Sequence, residues 1–92
     1  MTAFRRGWLK RGTVYGDEGF SVGIADRTTL IYKSQGKKMT IAGELLTNGF
    51  AGNRVNMKTW DDGTPLSSAE QEQVADNITR ALASEGEIAY FD

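Results

Sequence analysis

Asp61 and Asp62 form an adjacent pair of carboxylates, followed directly by Gly63. Such a pair could act in general acid–base chemistry or bind a hard metal ion such as Mg²⁺. Neighbouring residues in an extended segment point to opposite sides of the chain, which favours a solvated turn over a metal site. The sequence contains no histidine and no cysteine, so the commonest general base and the usual zinc and thiol ligands are missing. We therefore predict no catalytic residue, no metal site and no bound cofactor.

Glycine is frequent in the first quarter of the chain, at positions 7, 12, 16, 19 and 23. These glycines are scattered among residues that favour strands, and their spacing matches neither the dinucleotide-binding fingerprint nor the P-loop. We expect no nucleotide site, and the protein is predicted not to be an enzyme.

The net charge is nearly balanced, at −1, but the charges are unevenly distributed along the chain. Residues 1–60 carry ten Lys or Arg against four Asp or Glu, whereas residues 61–92 carry one Arg against eight acidic residues. This asymmetry can indicate a nucleic-acid face or a surface aimed at a basic protein. The two halves can also complement each other within the fold, and the sequence leaves all three explanations open.

The N-terminal half is rich in aromatic and basic residues, a combination that single-strand nucleic-acid binders use to stack bases and hold phosphates. In a domain this small the same aromatic residues are needed to fill the core, so a core role is the competing explanation. The residues concerned are Trp8, Tyr15, Phe20 and Tyr32, with Arg5, Arg6, Lys10, Arg11, Lys33, Lys37 and Lys38.

The length of 92 residues predicts a single domain, residues 1–92, with one hydrophobic core. Apolar residues make up 39% of the chain and charged residues 25%, which is typical of a folded protein rather than a disordered one. No apolar stretch approaches the roughly 18 residues that a membrane span needs, and no signal peptide is apparent. We expect a cytoplasmic protein that does not contact the membrane, in keeping with the absence of cysteine.

The first half of the chain is predicted to be mainly β-structure. A short strand is expected within residues 4–15, and it should pair as a hairpin with residues 20–24, where apolar and small residues alternate. Residues 28–33 and 38–42 predict a second hairpin, because turn-forming residues separate two segments that favour strands.

The segment before the acidic pair is harder to assign. Residues 44–46 fit either a strand extension or a single helical turn. Residues 54–60 alternate again, which predicts a strand with Val55 and Met57 on one face. Trp60 then either anchors the end of this strand in the core or is exposed as a binding hot spot.

The helix that follows has a clear start and stop. Ser67 and Glu70 predict a capping box and a helix that begins at Ser68. Gly86 is a natural helix stop, and residues 87–91 read as a final strand. The predicted fold is therefore α+β, with a mainly antiparallel sheet, one C-terminal amphipathic helix packed on one face, and a closing strand. The apolar stripe of this helix consists of Val74, Ile78, Ala81 and Leu82, and its outer face of Glu72, Asp76 and Arg80.

Several runs along the chain occur in the order found in one bacterial protein family. They are residues 36–46 (GKKMTIAGELL), residues 60–67 (WDDGTPLS), Glu70, Ile78 and residues 86–91 (GEIAYF). Over about residues 28–92 the chain resembles small bacterial immunity proteins of polymorphic toxin systems, of the type often numbered seventy-four. The resemblance implies a cytoplasmic protein that binds and neutralises a cognate toxin protein, and it carries no known site residues.

An acidic surface suits such a role, because many antibacterial toxins attack nucleic acid and present basic active sites. The candidate contacts are Asp61 and Asp62 in the link before the helix, and Glu72 and Asp76 on its outer face. The alternative function is a small nucleic-acid-binding protein that uses the basic, aromatic N-terminal half.

Overall fold

The computed structural model describes the backbone of residues 4–5, 13–16 and 19–91, and the side chains of residues 19–91. The described residues form seven strands, a short 3₁₀ helix and one α-helix. The elements are β1 (Phe4–Arg5), β2 (Thr13–Gly16), β3 (Phe20–Asp26), β4 (Thr29–Ser34), β5 (Lys37–Leu46), β6 (Gly49–Gly52), the 3₁₀ helix (Arg54–Met57), α1 (Ser68–Ser84) and β7 (Ile88–Phe91).

The described strands lie side by side in chain order, from β1 at one edge of the sheet to β7 at the other. Every neighbouring pair is antiparallel except β6 and β7, which are parallel. The parallel pairing follows from the connection, because α1 crosses over the sheet between these two strands. The predicted α+β fold, with a mainly antiparallel sheet, a C-terminal helix and a final strand, is confirmed.

Both predicted hairpins are present. The backbone of β2 pairs with β3, with Val14 opposite Val22. The hairpin of β4 and β5 turns at Gln35 and Gly36, whose φ angles are 52° and 78°. Two consecutive residues with positive φ make a type I′ turn, whose twist matches that of the two flanking strands.

The second half of β5 resolves the ambiguity at residues 44–46, which extend the strand. Gly43 lies opposite Gly52 and Leu46 opposite Gly49, so β6 pairs only with this second half. A side chain would not fit at Gly43, where β5 begins to pair with β6. A Cβ atom at Gly43 would fall on the carbonyl oxygen of Ala51.

The prediction of a strand at residues 54–60 is wrong. Asn53 caps a 3₁₀ helix there, because its side chain accepts a hydrogen bond from the backbone N–H of Val55 at 2.9 Å. Such a local side-chain bond competes with strand formation. Met57 is buried but Val55 is 54% exposed, so the two side chains do not share a face. Only an isolated bridge between Thr59 and Pro65 follows within the described chain.

Helix α1 starts and stops as predicted. The Ser67 hydroxyl accepts from the Glu70 N–H at 3.1 Å, and the Glu70 carboxylate accepts from the Ser67 N–H at 2.9 Å. At the other end, Gly86 has φ 73° and donates its N–H to the Ala83 carbonyl, while Glu87 donates to the Leu82 carbonyl. These two bonds form a Schellman motif, which satisfies the last carbonyls of the helix.

The core lies between the sheet and α1. The predicted stripe of the helix is buried as expected, and it packs in one hydrophobic cluster with residues from β3, β4, β5 and β6 of the described sheet. Asn77 is buried on the same helix face, where the sequence predicted only apolar residues. In the part of the chain that is described, no helix is long and apolar enough to span a bilayer.

Candidate functional site

Asp61 completes the hydrogen bonding of β5. Because β6 is short, Thr40 in the first half of β5 lies beyond the end of β6. The carboxylate of Asp61 accepts hydrogen bonds from the N–H of Thr40 at 2.9 Å and from its hydroxyl at 2.6 Å. The N–H of Asp61 donates to the carbonyl of Lys38 at 2.8 Å. The hydroxyl bond is the main reason that the pKa of the Asp61 carboxyl lies below its usual value.

Asp62 belongs to the same link but turns towards a different set of partners. Its carboxylate accepts from the N–H of Thr64 at 2.8 Å, and bonds from Thr64 lower the pKa of the Asp62 carboxyl. The two carboxylates also face different lysines, at 3.9 Å for Asp61 to Lys38 and 3.9 Å for Asp62 to Lys37. They therefore diverge, as expected for a turn. Among the described residues no group of three acidic side chains is placed to hold a metal ion.

The two acidic residues on the outer face of α1 are paired as well. Glu72 accepts a short hydrogen bond from Arg54 of the 3₁₀ helix. Asp76 lies 3.0 Å from Arg80, one helical turn away on the predicted outer face. Among the described residues, no hydrogen bond or ion pair joins Glu72 or Asp76 to Asp61 or Asp62.

All four predicted contact residues thus sit beside a cation of the same chain. Three of these ion pairs join the basic half to the acidic half, namely those made by Asp61, Asp62 and Glu72. In the described part of the chain the charge asymmetry therefore serves the fold to a large extent. Partly exposed pairs of this kind contribute little net field for attracting a basic partner.

The described part of the basic, aromatic N-terminal half does not form a stacking surface. Phe20 and Tyr32 are 3% and 2% exposed and belong to the core. Lys37 and Lys38 are engaged with the acidic link. The remaining aromatic residues of that prediction, Trp8 and Tyr15, lie outside the residues whose side chains are described, as do its four N-terminal cations.

Trp60 lies between the two positions considered for it, since it packs on the core and is partly exposed. Its indole stacks on Tyr32 with ring centroids 6.0 Å apart, and Tyr32 in turn stacks on Phe20 at 5.8 Å. The ring of Trp60 lines a cleft of about 250 Å³ between the sheet and the first turns of α1.

A hydrogen-bond network forms the floor of this cleft. The side-chain amide of Asn77 donates to the Tyr32 phenol oxygen at 2.9 Å, and so joins α1 to the middle of the sheet. The amide oxygen of Asn77 accepts from Gln73 at 2.9 Å and from Arg80 at 2.8 Å. Asn77 interrupts the apolar stripe of the helix, and this buried polar residue was the sequence signal that could have indicated the site.

A second feature that the sequence did not reveal is the exposed part of the sheet at β5, β6 and β7, on the side away from α1, which we call the open face. Opposed residues of a sheet point to the same face. One such row consists of Glu44, Ala51 and Tyr90, and the next of Leu46, Gly49 and Ile88. The row between them, Leu45, Phe50 and Ala89, points into the core.

Two large apolar side chains are exposed on this open face. Ile88 is 48% exposed and Tyr90 is 43% exposed. Both lie on β7, the last strand of the described sheet. Every position of β7 is apolar, so its sequence could not show which residues face the core.

No protein-family model, curated protein or solved structure matches this chain. The resemblance to immunity proteins therefore stays an expectation.

Proposed function

We propose that the chain is a non-enzymatic protein-binding domain that neutralises a bacterial toxin in the cytoplasm by docking it on the open face of the sheet. The observation that carries this proposal is the pair of exposed apolar side chains, Ile88 and Tyr90, on the same sheet face as Glu44, which shares a cross-strand row with Tyr90 two strands away. Exposed aromatic and aliphatic anchors with a polar neighbour are typical of the centre of a protein interface.

The charges favour a basic partner at this face. Glu44 is exposed and, unlike the four acids predicted from the sequence, makes no ion pair with any residue between 19 and 91. Glu87, directly before β7, is half-buried and likewise makes no ion pair with any of these residues. An unpaired carboxylate keeps its full charge for a partner, whereas a paired one must first give up its lysine or arginine. A toxin with a basic, nucleic-acid-binding active site would supply the positive charge that these two carboxylates attract.

The edge position of β7 adds a way to bind. In the described sheet one side of β7 pairs with β6 and the other has no strand beside it. An extended segment of the toxin could pair with that side, with its side chains packing on Ile88 and Tyr90.

An immunity protein is expected to be encoded next to a secreted protein that ends in a toxin domain, and the test uses that expected domain. Cells producing that domain should grow only when this chain is co-produced, and the purified proteins should bind each other. Ile88→Lys and Glu44→Lys should each weaken binding at least about tenfold, which corresponds to about 1.4 kcal/mol. Val55→Lys is the matched control, because Val55 is 54% exposed but lies on the 3₁₀ helix.

The contrary outcomes are equally specific. Full protection by the Ile88→Lys, Glu44→Lys double variant would remove the open face from the mechanism. Loss of protection in Asp61→Lys with Asp62→Lys, or in Glu72→Lys with Asp76→Lys, would then move the site to the acids predicted from the sequence. No protection by the unaltered chain, together with tight, salt-sensitive binding of single-stranded DNA, would favour the nucleic-acid alternative.

A further inference from the structure

We infer that the cleft between the sheet and α1 binds an organic cation, a guanidinium or ammonium group carried on a short alkyl chain. The cleft lies on the helix side of the sheet, whereas Ile88 and Tyr90 lie on the open face. Its occupant is thus distinct from the contact proposed for the open face.

The walls of the cleft are arranged for a small group that enters from solvent. Phe20, Tyr32 and Asn77 form a buried floor, while Glu70 and Gln73 are exposed at the mouth. A volume of about 250 Å³ is below the roughly 300–1,000 Å³ of pockets that take drug-sized ligands, so the expected occupant is a side-chain-sized group.

Among the described residues, the amide network leaves one acceptor oxygen in the cleft, while Ser34, Gln35 and Trp60 of the wall also carry donors. Arg80 can only donate, so the Asn77 atom that it bonds must be the amide oxygen. Gln73 bonds the same oxygen and must therefore present its amide nitrogen, which leaves its carbonyl oxygen for a ligand. This Gln73 oxygen can accept a hydrogen bond from a ligand that donates one.

Glu70 supplies a charge at the mouth. One of its carboxylate oxygens accepts the Ser67 N–H of the capping box, and the other has no hydrogen bond to any described residue. The Ser67 backbone bond lowers the pKa of the Glu70 carboxyl, so this group is ionised at neutral pH.

The neighbouring charges leave the cleft negative. Lys37 donates to Thr64 at 3.1 Å and faces Asp62, and Arg80 is paired with Asp76. Besides the Ser67 backbone bond, Lys37 also helps to lower the pKa of the Glu70 carboxyl, so among the described residues three carboxylates, Asp62, Glu70 and Asp76, face two cations. The indole of Trp60 in the same cleft provides the aromatic face that attracts cations most strongly.

Fluorescence of Trp60 provides the test. The chain has two tryptophans, so Trp8→Phe leaves Trp60 as the single reporter. Arginine methyl ester should change its emission in a saturable way, and citrulline methyl ester, a neutral compound of nearly the same shape, should bind at least about fivefold more weakly.

Two variants test whether the carboxylate of Glu70 is the group that attracts the cation. Glu70→Gln keeps the capping box, which also accepts glutamine, and should lower the affinity for arginine methyl ester about fivefold. Glu72→Gln, which removes a carboxylate from the outer face of the same helix, should leave it unchanged. Equal binding of the two esters, equal behaviour of the two variants, or no saturable response would each overturn the assignment.

Further probes identify the source of the cation. Binding of acetyl-Gly-Arg-Gly-amide as tight as that of the ester would assign an arginine side chain of a partner protein. Binding of agmatine with rejection of the peptide would assign a free small cation. None of these measurements needs the toxin. The cleft can therefore fail to bind the cation while the proposed toxin binding stands, and toxin binding can fail while the cleft binds the cation.

Discussion

The carboxylate of Asp61 takes the place of a missing strand beside Thr40. It accepts both the N–H and the hydroxyl of Thr40, at 2.9 and 2.6 Å, where β6 is too short to pair with β5. An aspartate that appeared from the sequence to be a candidate contact for a partner is therefore also part of the sheet.

Removing the Thr40 hydroxyl should make the protein less sensitive to acid. Because the folded-state pKa of Asp61 is below the ordinary value of 3.8, its stabilisation is present above that value and is lost as the pH falls through the folded-state pKa. Thr40→Val should cost about 0.5–1 kcal/mol at neutral pH and less in acid. Urea unfolding of the unaltered protein and of Thr40→Val, at neutral and at acidic pH, measures this loss of unfolding free energy. An equal loss at the two pH values would contradict the role of the ionised Asp61.

Tyr32→Phe should destabilise the protein by about 1–3 kcal/mol, because it leaves the buried amide of Asn77 without its acceptor. Tyr90→Phe is the matched control. The Tyr90 hydroxyl accepts from Asn48 at 3.2 Å in an exposed position, so its loss should cost less than about 0.5 kcal/mol. Thermal or urea unfolding compares the two, and similar losses would argue against the buried network.

Gly49→Ala should separate β7 from β6. A Cβ atom at Gly49 would fall on the backbone carbonyl of Ile88, and backbone cannot rotate away, so we expect a loss of at least about 3 kcal/mol. Gly52→Ala, in the same strand, would meet the Phe91 ring at 3.2 Å, and that side chain can shift. Its cost should be about 1 kcal/mol or less. Circular dichroism during unfolding ranks the two variants, and the opposite ranking would refute the close approach.

Gln35→Asn should stabilise the protein by about 0.5–1 kcal/mol, since Asn adopts the left-handed backbone of a type I′ turn more readily than Gln. Gln35 has φ 52° and is the non-glycine residue with positive φ in the described chain. Gln35→Ala keeps the strain and should bring no gain. The melting temperatures of the two variants test this, and a rise in Gln35→Ala alone would contradict the turn assignment.

Short-range signals were sufficient for helix α1 and for the hairpin of β4 and β5. The capping box of Ser67 and Glu70, the stop at Gly86 and the hairpin before β5 each involve residues only a few positions apart. Their preferences act within one turn, so they can be read in the sequence without knowledge of the fold. Residues 54–57 were the exception, because the alternation of apolar residues resembled a strand although Asn53 caps a helix there.

Long-range contacts decided the candidate sites. Asp61, Asp62 and Glu72 are paired with cations from distant positions, and Asn77 meets Tyr32 across 45 residues of chain. The exposure of Ile88 and Tyr90 likewise depends on the pairing of β7 with β6, since all four residues of that strand are apolar. Such partners are brought together by the packing of α1 and the strand order of the sheet, and periodicity along the chain carries no information about them.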